Sequence, residues 1–172
     1  MAGDKAGFVS HDAILPVYDA RSRVLILGTI PSPKSREAGF YYAHPQNRFW
    51  RVLSALFGAP TPSDTAEKTA FVLERGIALW DVLKSCRITG ASDSTIKDAV
   101  VNDLSEIFST APIRAVFTTG VTASRLYQKH CRERYEHYGI PAFGLPSTSP
   151  ANIGRYSLER LTAEYRAILN YL

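Results

Sequence analysis

The strongest constraint on the fold is a short run, Arg23-Val24-Leu25-Ile26-Leu27-Gly28, that is apolar after its first residue and stops at a glycine. A strand with one solvated face alternates apolar and polar residues, whereas a continuously apolar one is buried on both faces, as in a parallel sheet covered by helices. Gly76 to Val82, Arg114 to Thr119 and Ile140 to Leu145 have the same character. Helical patterns lie between and after them. Phe49, Trp50, Val52, Leu53, Leu56 and Phe57 form an apolar stripe that ends at Gly58. Asp64 with Glu67 resembles a capping box opening a helix to Arg75, with Gly76 as its terminator. Val121 to Arg134 reads as a third helix, and Leu158, Leu161, Tyr165, Ile168, Leu169 and Leu172 recur at helical spacing. The alternation predicts an α/β fold with a parallel sheet covered on both faces.

At 172 residues the chain has the length of one domain, 1–172, and its 45% hydrophobic content supplies a core for it. A net charge of +4 suits a polyanionic partner. Cys86 and Cys131 stand alone, with no CxxC pair, which argues against a zinc or iron–sulfur site and for a reduced, intracellular protein. Met1 to Asp12 has no apolar core of signal-peptide length, and no stretch reaches the ~18 apolar residues of a membrane span. The expected location is cytoplasmic, or nuclear in a eukaryote.

Two segments read as irregular, Thr29 to Asn47 and Pro146 to Tyr156, and both follow the carboxyl end of a predicted strand, where open α/β sheets bind ligands. The first, Gly28-Thr29-Ile30-Pro31-Ser32-Pro33-Lys34-Ser35 and then Phe40-Tyr41-Tyr42-Ala43-His44-Pro45-Gln46-Asn47-Arg48-Phe49-Trp50, combines small residues, clustered aromatics and an amide before a helix. Such parts suit a flipped base, which needs a stacking face and donors for its polar edge. The second, Leu145-Pro146-Ser147-Thr148-Ser149-Pro150-Ala151-Asn152, sets three hydroxyls between prolines. Small polar groups on a preformed loop can grip a phosphate backbone, and a turn with a cap is the plainer alternative.

These two motifs, in this order, resemble those of the hypoxanthine-DNA glycosylases, and Ala-His-Pro-Gln-Asn-Arg-Phe-Trp also resembles the mismatch-specific branch of the uracil-DNA glycosylase superfamily. Ala78-Leu79-Trp80-Asp81-Val82-Leu83 and Ser92-Asp93-Ser94 add further family pattern. The resemblance implies a three-layer α/β/α sandwich with a central four-stranded parallel sheet and a DNA groove across its carboxyl edge. It implies a monofunctional, cofactor-free monomer that acts on DNA containing a deaminated base, hypoxanthine first and uracil as the alternative. Most branches place Asn or Asp directly after the first motif's glycine; here Thr29 stands there and has no carboxylate. The hypoxanthine branch draws its catalytic amide from the Asn-x-Phe-Trp end, which maps onto Asn47.

Asn47 is therefore the catalytic candidate, its carbonyl accepting from water or its NH₂ donating to the base, with a helix cap as the competing role. Base binding falls to Gly28, Thr29, Ile30, Pro31, Phe40, Tyr41, Tyr42 and His44, with one tyrosine expected to stack and the other to pack. His44 reads equally as an ordinary loop histidine. DNA binding falls to Lys34, Ser35, Ser147, Thr148, Ser149 and Asn152, and Lys34 is expected to be a phosphate contact rather than a Schiff-base amine. Asp81 and Asp93 are expected in turn and cap hydrogen bonds, Trp50 and Trp80 in the core, and Lys129, Arg132 and Arg134 on a solvated helix face. A rival of another class is a noncatalytic DNA-binding module in which Thr29 marks lost chemistry.

Overall fold

The computed structural model describes residues 6–172. Four parallel strands form the central sheet: β2 (Val24–Gly28), β3 (Ile77–Asp81), β6 (Ala115–Thr119) and β7 (Ala142–Leu145), in the order β3-β2-β6-β7. Alternation along β2 sets up the layers. Val24 and Ile26 pack with Ile77, Leu79, Ala115 and Phe117 on one face, while Leu25 and Leu27 pack with Ala78 and Val116 on the other. All five residues of β2 are buried, so the continuous apolar run is the direct result of covering both faces.

On the first face lie α2 (Phe49–Phe57), α3 (Thr65–Glu74) and α6 (Leu158–Tyr165), whose Val52, Leu53, Val72 and Leu161 are fully buried. On the second lie α4 (Ser105–Thr110) and α5 (Val121–His130), contributing Ile107, Ala123 and Leu126. The protein is thus the expected α/β/α sandwich. Asp64 caps α3 by accepting the Glu67 N–H at 2.7 Å, but Glu67 returns its carboxylate to the Ser63 N–H rather than to its cap. The helix expected to reach Arg134 stops at His130, where the N–H groups of Cys131 and Arg132 both turn onto the Tyr127 carbonyl.

A second sheet was not anticipated. β1 (Gly7–Ser10), β4 (Leu83–Ile88) and β5 (Lys97–Val101) form an antiparallel sheet in the order β1-β4-β5. The chain passes into it directly from β3 through Val82. There the N–H groups of Val82 and Leu83 extend the ladder onto the carbonyls of Gly28 and Thr29. Asn102 clasps this switch point, its amide donating to the carbonyls of Asp81 at 2.9 Å and Leu83 at 3.1 Å. The segment from Thr29 to Asn47 also holds a helix, α1 (Pro33–Ala38), with Ser32 as its N-cap, Pro33 in its first turn and left-handed Gly39 as its stop. No helix among the described residues is long and apolar enough to cross a membrane.

Candidate active site

The carboxyl ends of β2, β3 and β6 open into a cavity of about 680 Å³, walled by the segments after β2 and β7, by Ile88 and by residues 90–93. It gathers Gly28, Thr29, Ile30, Pro31, Ser35, Tyr41, Tyr42, His44, Asn47, Ser147, Thr148, Ser149 and Asn152. Thus residues that lie a hundred positions apart in sequence meet in one space.

Two candidates lie elsewhere. Phe40 is buried and packs on Trp50, with ring centroids 6.1 Å apart and planes 21° apart, so it belongs to the core beneath the loop. Lys34 is exposed, outside the cavity wall, and pairs with Glu37 at 3.1 Å along α1.

The orientation of Asn47 is fixed by its neighbours. Its side-chain atom facing the Phe49 N–H must be the carbonyl oxygen, because only an acceptor satisfies that donor, and the distance is 2.9 Å. The Thr148 hydroxyl donates to the same oxygen at 2.9 Å. Asn47 therefore caps the start of α2 with its oxygen and leaves its NH₂ as the group available to the cavity. Thr148 is 1% exposed, so its hydroxyl serves Asn47 and does not face a phosphate. Ser147 and Ser149 are half-buried on the same loop, which Asn152 stitches by donating to the Ser147 carbonyl at 2.9 Å. Arg48 joins the two motifs, its N–H donating to the Thr148 carbonyl at 3.1 Å and its guanidinium to the Tyr156 carbonyl.

The tyrosines divide. Tyr41 is 3% exposed and donates its hydroxyl to the Leu15 carbonyl at 2.8 Å, so most of its ring is core. Tyr42 adopts a left-handed φ of 52°, a conformation that costs a non-glycine residue roughly 1 kcal/mol. Its ring stacks on Phe49 with centroids 3.8 Å apart, and its hydroxyl reaches Thr119 at 3.3 Å, which together hold it there. Burial and the nearby Asp81 charge push its phenol well above the ordinary range, leaving it neutral. Nδ1 of His44 accepts the Gln46 N–H at 3.1 Å, so its proton sits on Nε2.

The expected turn and cap roles of Asp81 and Asp93 do not hold. Asp81 ends β3 opposite Gly28, is 4% exposed, and lies at the cavity floor. Its Oδ2 meets His11 Nε2 at 2.6 Å, while His11 Nδ1 lies 2.7 Å from the Ile14 carbonyl. Both partners are acceptors, so the ring donates from both nitrogens and is an imidazolium. Burial pulls the His11 pKa down most strongly, but the hydrogen bond and charge of Asp81 outweigh it and the net shift is upward. Asp93 opens a short 3₁₀ turn and makes no cap bond; it faces the cavity. Burial pushes its carboxyl above the ordinary 3.8, the Thr29 hydroxyl opposes this, and the Asp81 charge adds to it.

His11 carries no motif in the sequence, and only β1, which continues into it through the bond from its N–H to the Lys84 carbonyl, brings it to the site. Asp81 was detectable as a charged residue ending an otherwise apolar strand. Trp50 is core as expected, Trp80 is only half-buried, and Lys129, Arg132 and Arg134 are exposed.

Comparison with known proteins agrees with this geometry. Residues 15–172 match the family described as the uracil DNA glycosylase superfamily. A hypoxanthine DNA glycosylase of Methanosarcina acetivorans is 33% identical over 157 residues, covering 90% of this chain and 95% of that protein. A hypoxanthine DNA glycosylase of Methanosarcina barkeri is 38% identical over 98 residues, a stretch covering 56% of this chain and 62% of that protein. A solution NMR structure from Methanosarcina acetivorans, described as a candidate uracil DNA glycosylase, superposes with a TM-score of 0.76 at 29% identity over 91% of this chain and 96% of that one. The chain belongs to the uracil DNA glycosylase superfamily.

Proposed function

We propose that this protein is a monofunctional DNA glycosylase that flips hypoxanthine out of DNA and hydrolyses its N-glycosidic bond, working as a monomer. The observation that carries this reading is the orientation of Asn47: with its oxygen taken by Phe49 and Thr148, it offers two N–H donors to whatever enters the cavity. Hypoxanthine presents a carbonyl, O6, that such a donor matches, and negative charge spreads onto that oxygen as the bond to the sugar breaks.

In the reaction the electron pair of the C1′–N9 bond leaves with the base, water adds its oxygen to C1′, and the proton it sheds ends on the departing purine. An amide is a weak proton acceptor, so Asn47 acts by stabilising the leaving base rather than by deprotonating water. A preorganised donor in such a place supports roughly 10²–10³-fold of rate. Tyr42, braced on Phe49, supplies a ring beside the cavity for the flipped base, and Ser147 and Ser149 offer hydroxyls and backbone at its rim for the strand. Among the described residues no lysine lines the cavity, and Lys34, the lysine in the first motif, pairs with Glu37 outside it, which favours hydrolysis by water over an amine nucleophile and lyase chemistry. That two relatives are named hypoxanthine DNA glycosylases supports the choice of the purine here.

The test is base release from duplexes containing deoxyinosine or deoxyuridine, read as strand scission after alkali. Scission at deoxyinosine well above that at deoxyuridine is expected. Scission at neither would remove the enzyme reading and leave a DNA-binding module.

A further inference from the structure

In the reaction above the attacking water has no protein group to receive its proton, since Asn47 turns its N–H end to the cavity. Among the described residues two carboxylates line that cavity, Asp81 and Asp93. Asp81 is buried at the floor and takes the His11 Nε2–H at 2.6 Å; a carboxylate held by an imidazolium is a poor base. Asp93 is half-buried in the wall, and the Thr29 hydroxyl faces its carboxylate. No ion pair among the described residues takes it up.

The two sides of the cavity belong to different layers. Tyr42 and the α2 start that Asn47 caps pack on the first face of the central sheet. Asp93 lies in the connection between β4 and β5, which Ile88 and Ile96 anchor to the layer on the second face. A nucleotide whose base meets Asn47 and Tyr42 therefore has a carboxylate across the cavity from them. Hydrolysis at C1′ uses such a division, because water arrives on the sugar face opposite the departing base. Asp93 also sits less deeply than Asp81, toward the mouth, where the sugar of an inserted nucleotide stays attached to its strand.

We propose that Asp93 is a further catalytic residue, the general base that orients the attacking water and receives its proton, with the Thr29 hydroxyl positioning its carboxylate. The proposal rests on the glycosylase reading above. As the C1′–N9 electron pair leaves with the base, the water oxygen bonds to C1′ and Asp93 takes the proton that the water sheds. Asp93 then yields that proton to solvent and the purine anion takes one up, so the balance is that of the overall hydrolysis. Burial raises the Asp93 carboxyl above the ordinary 3.8 against the Thr29 hydrogen bond, and the Asp81 charge adds to the rise, which makes it a stronger base. The other charged or titratable groups around it are Arg36, His44, Arg155, the Cys86 thiol and the His11–Asp81 pair, and all of them remain in the variants below.

Single-turnover release of hypoxanthine from a deoxyinosine duplex, measured with saturating full-length protein across pH, tests this. The wild-type rate should fall toward acid as Asp93 protonates, with a midpoint above 3.8. Asp93→Asn should slow release about 100-fold or more and lose that limb, while binding the duplex at least as tightly, because a negative charge beside the phosphates is gone. Asp93→Ala should regain rate in sodium formate but not in sodium chloride of the same ionic strength, because formate can take the vacated place. Thr29→Val removes a hydrogen bond to the ionised carboxylate and should move the limb to higher pH.

Release by Asp93→Asn at the wild-type rate overturns the proposal. So does an acid limb that persists unchanged in Asp93→Asn or stays in place in Thr29→Val. A folded Asp93→Ala protein that is slow and gains nothing from formate gives Asp93 a structural role instead. Failure of the wild-type protein on deoxyinosine removes the functional reading and this proposal with it; release of hypoxanthine that is indifferent to Asp93 removes this proposal alone.

Discussion

The Thr148 hydroxyl donates to Asn47 Oδ1 at 2.9 Å, across 101 residues of sequence, and in doing so ties the second motif to the amide of the first. The same oxygen caps α2 through the Phe49 N–H, so the capping and catalytic readings of Asn47 describe opposite ends of one amide.

Asn47→Asp separates those ends. A carboxylate keeps both acceptor bonds and is as good a helix cap as asparagine, so thermal stability should stay within about 1 kcal/mol of the wild type. It has no N–H, so base release should fall by about 100-fold or more. Asn47→Ala should lose both. Thr148→Val leaves the cap but frees the amide to turn, and should show a smaller fall in release than either. A fully active Asn47→Asp protein would mean that the donor face of Asn47 plays no part in the chemistry.

Gly28→Ala probes the floor of the cavity. The new methyl would meet Asp81 Oδ1 at 2.4 Å and the Tyr42 hydroxyl at 3.4 Å. Asp81 cannot swing aside cheaply, because His11 holds its other oxygen. The expected cost is about 1–3 kcal/mol in denaturant melts, with loss of base release in the protein that still folds. An unchanged melt and unchanged release would show that the carboxylate moves freely.

The central sheet was legible because β2 is buried on both faces and writes that into an unbroken apolar run. The second sheet was not. β5 buries none of its five residues fully, β4 reads Leu-Lys-Ser-Cys-Arg-Ile without strict alternation, and register shifts between β4 and β5 break the period of two that marks a half-exposed strand. At the site, the motif residues were found because they are sequential. His11 was not, because nothing local distinguishes a histidine whose partner is 70 residues away. Phe40 shows the converse error: adjacency to Tyr41 and Tyr42 suggested a shared role, yet the left-handed turn at Tyr42 sends consecutive aromatic side chains into different surroundings.

Phe40 and Tyr42 should therefore fail differently. Phe40→Ala removes a ring packed on Trp50 and Tyr41 and should cost about 3–5 kcal/mol of stability, with little effect on release by the folded fraction. Tyr42→Ala leaves the left-handed backbone strained, since alanine also carries a Cβ, and removes the ring stacked on Phe49, so it too should cost stability, but release by its folded fraction should fall through weaker binding of the lesion. Melts and single-turnover rates measured on the same preparations distinguish the two. The reverse pattern would place Phe40 against the base.

The His11–Asp81 pair sets a pH dependence whose sign follows from the upward shift at His11. The folded protein binds this proton more tightly than the unfolded chain, whose histidine titrates near 6.5. Stability from the ion pair is then fully present below pH 6.5 and is lost as pH rises through the higher folded value, at about 1.4 kcal/mol for each unit between the two. The measurement is the stability difference between wild type and His11→Gln in urea melts from acid to alkaline pH. That difference should be greatest below 6.5 and shrink above it. Asp93 titrates in a separate window that begins at its ordinary 3.8, where a raised carboxyl pKa makes the fold lose stability as pH increases. Because both proteins keep Asp93, its contribution cancels in the subtraction. A difference that grows with rising pH would mean that His11 is neutral in the fold.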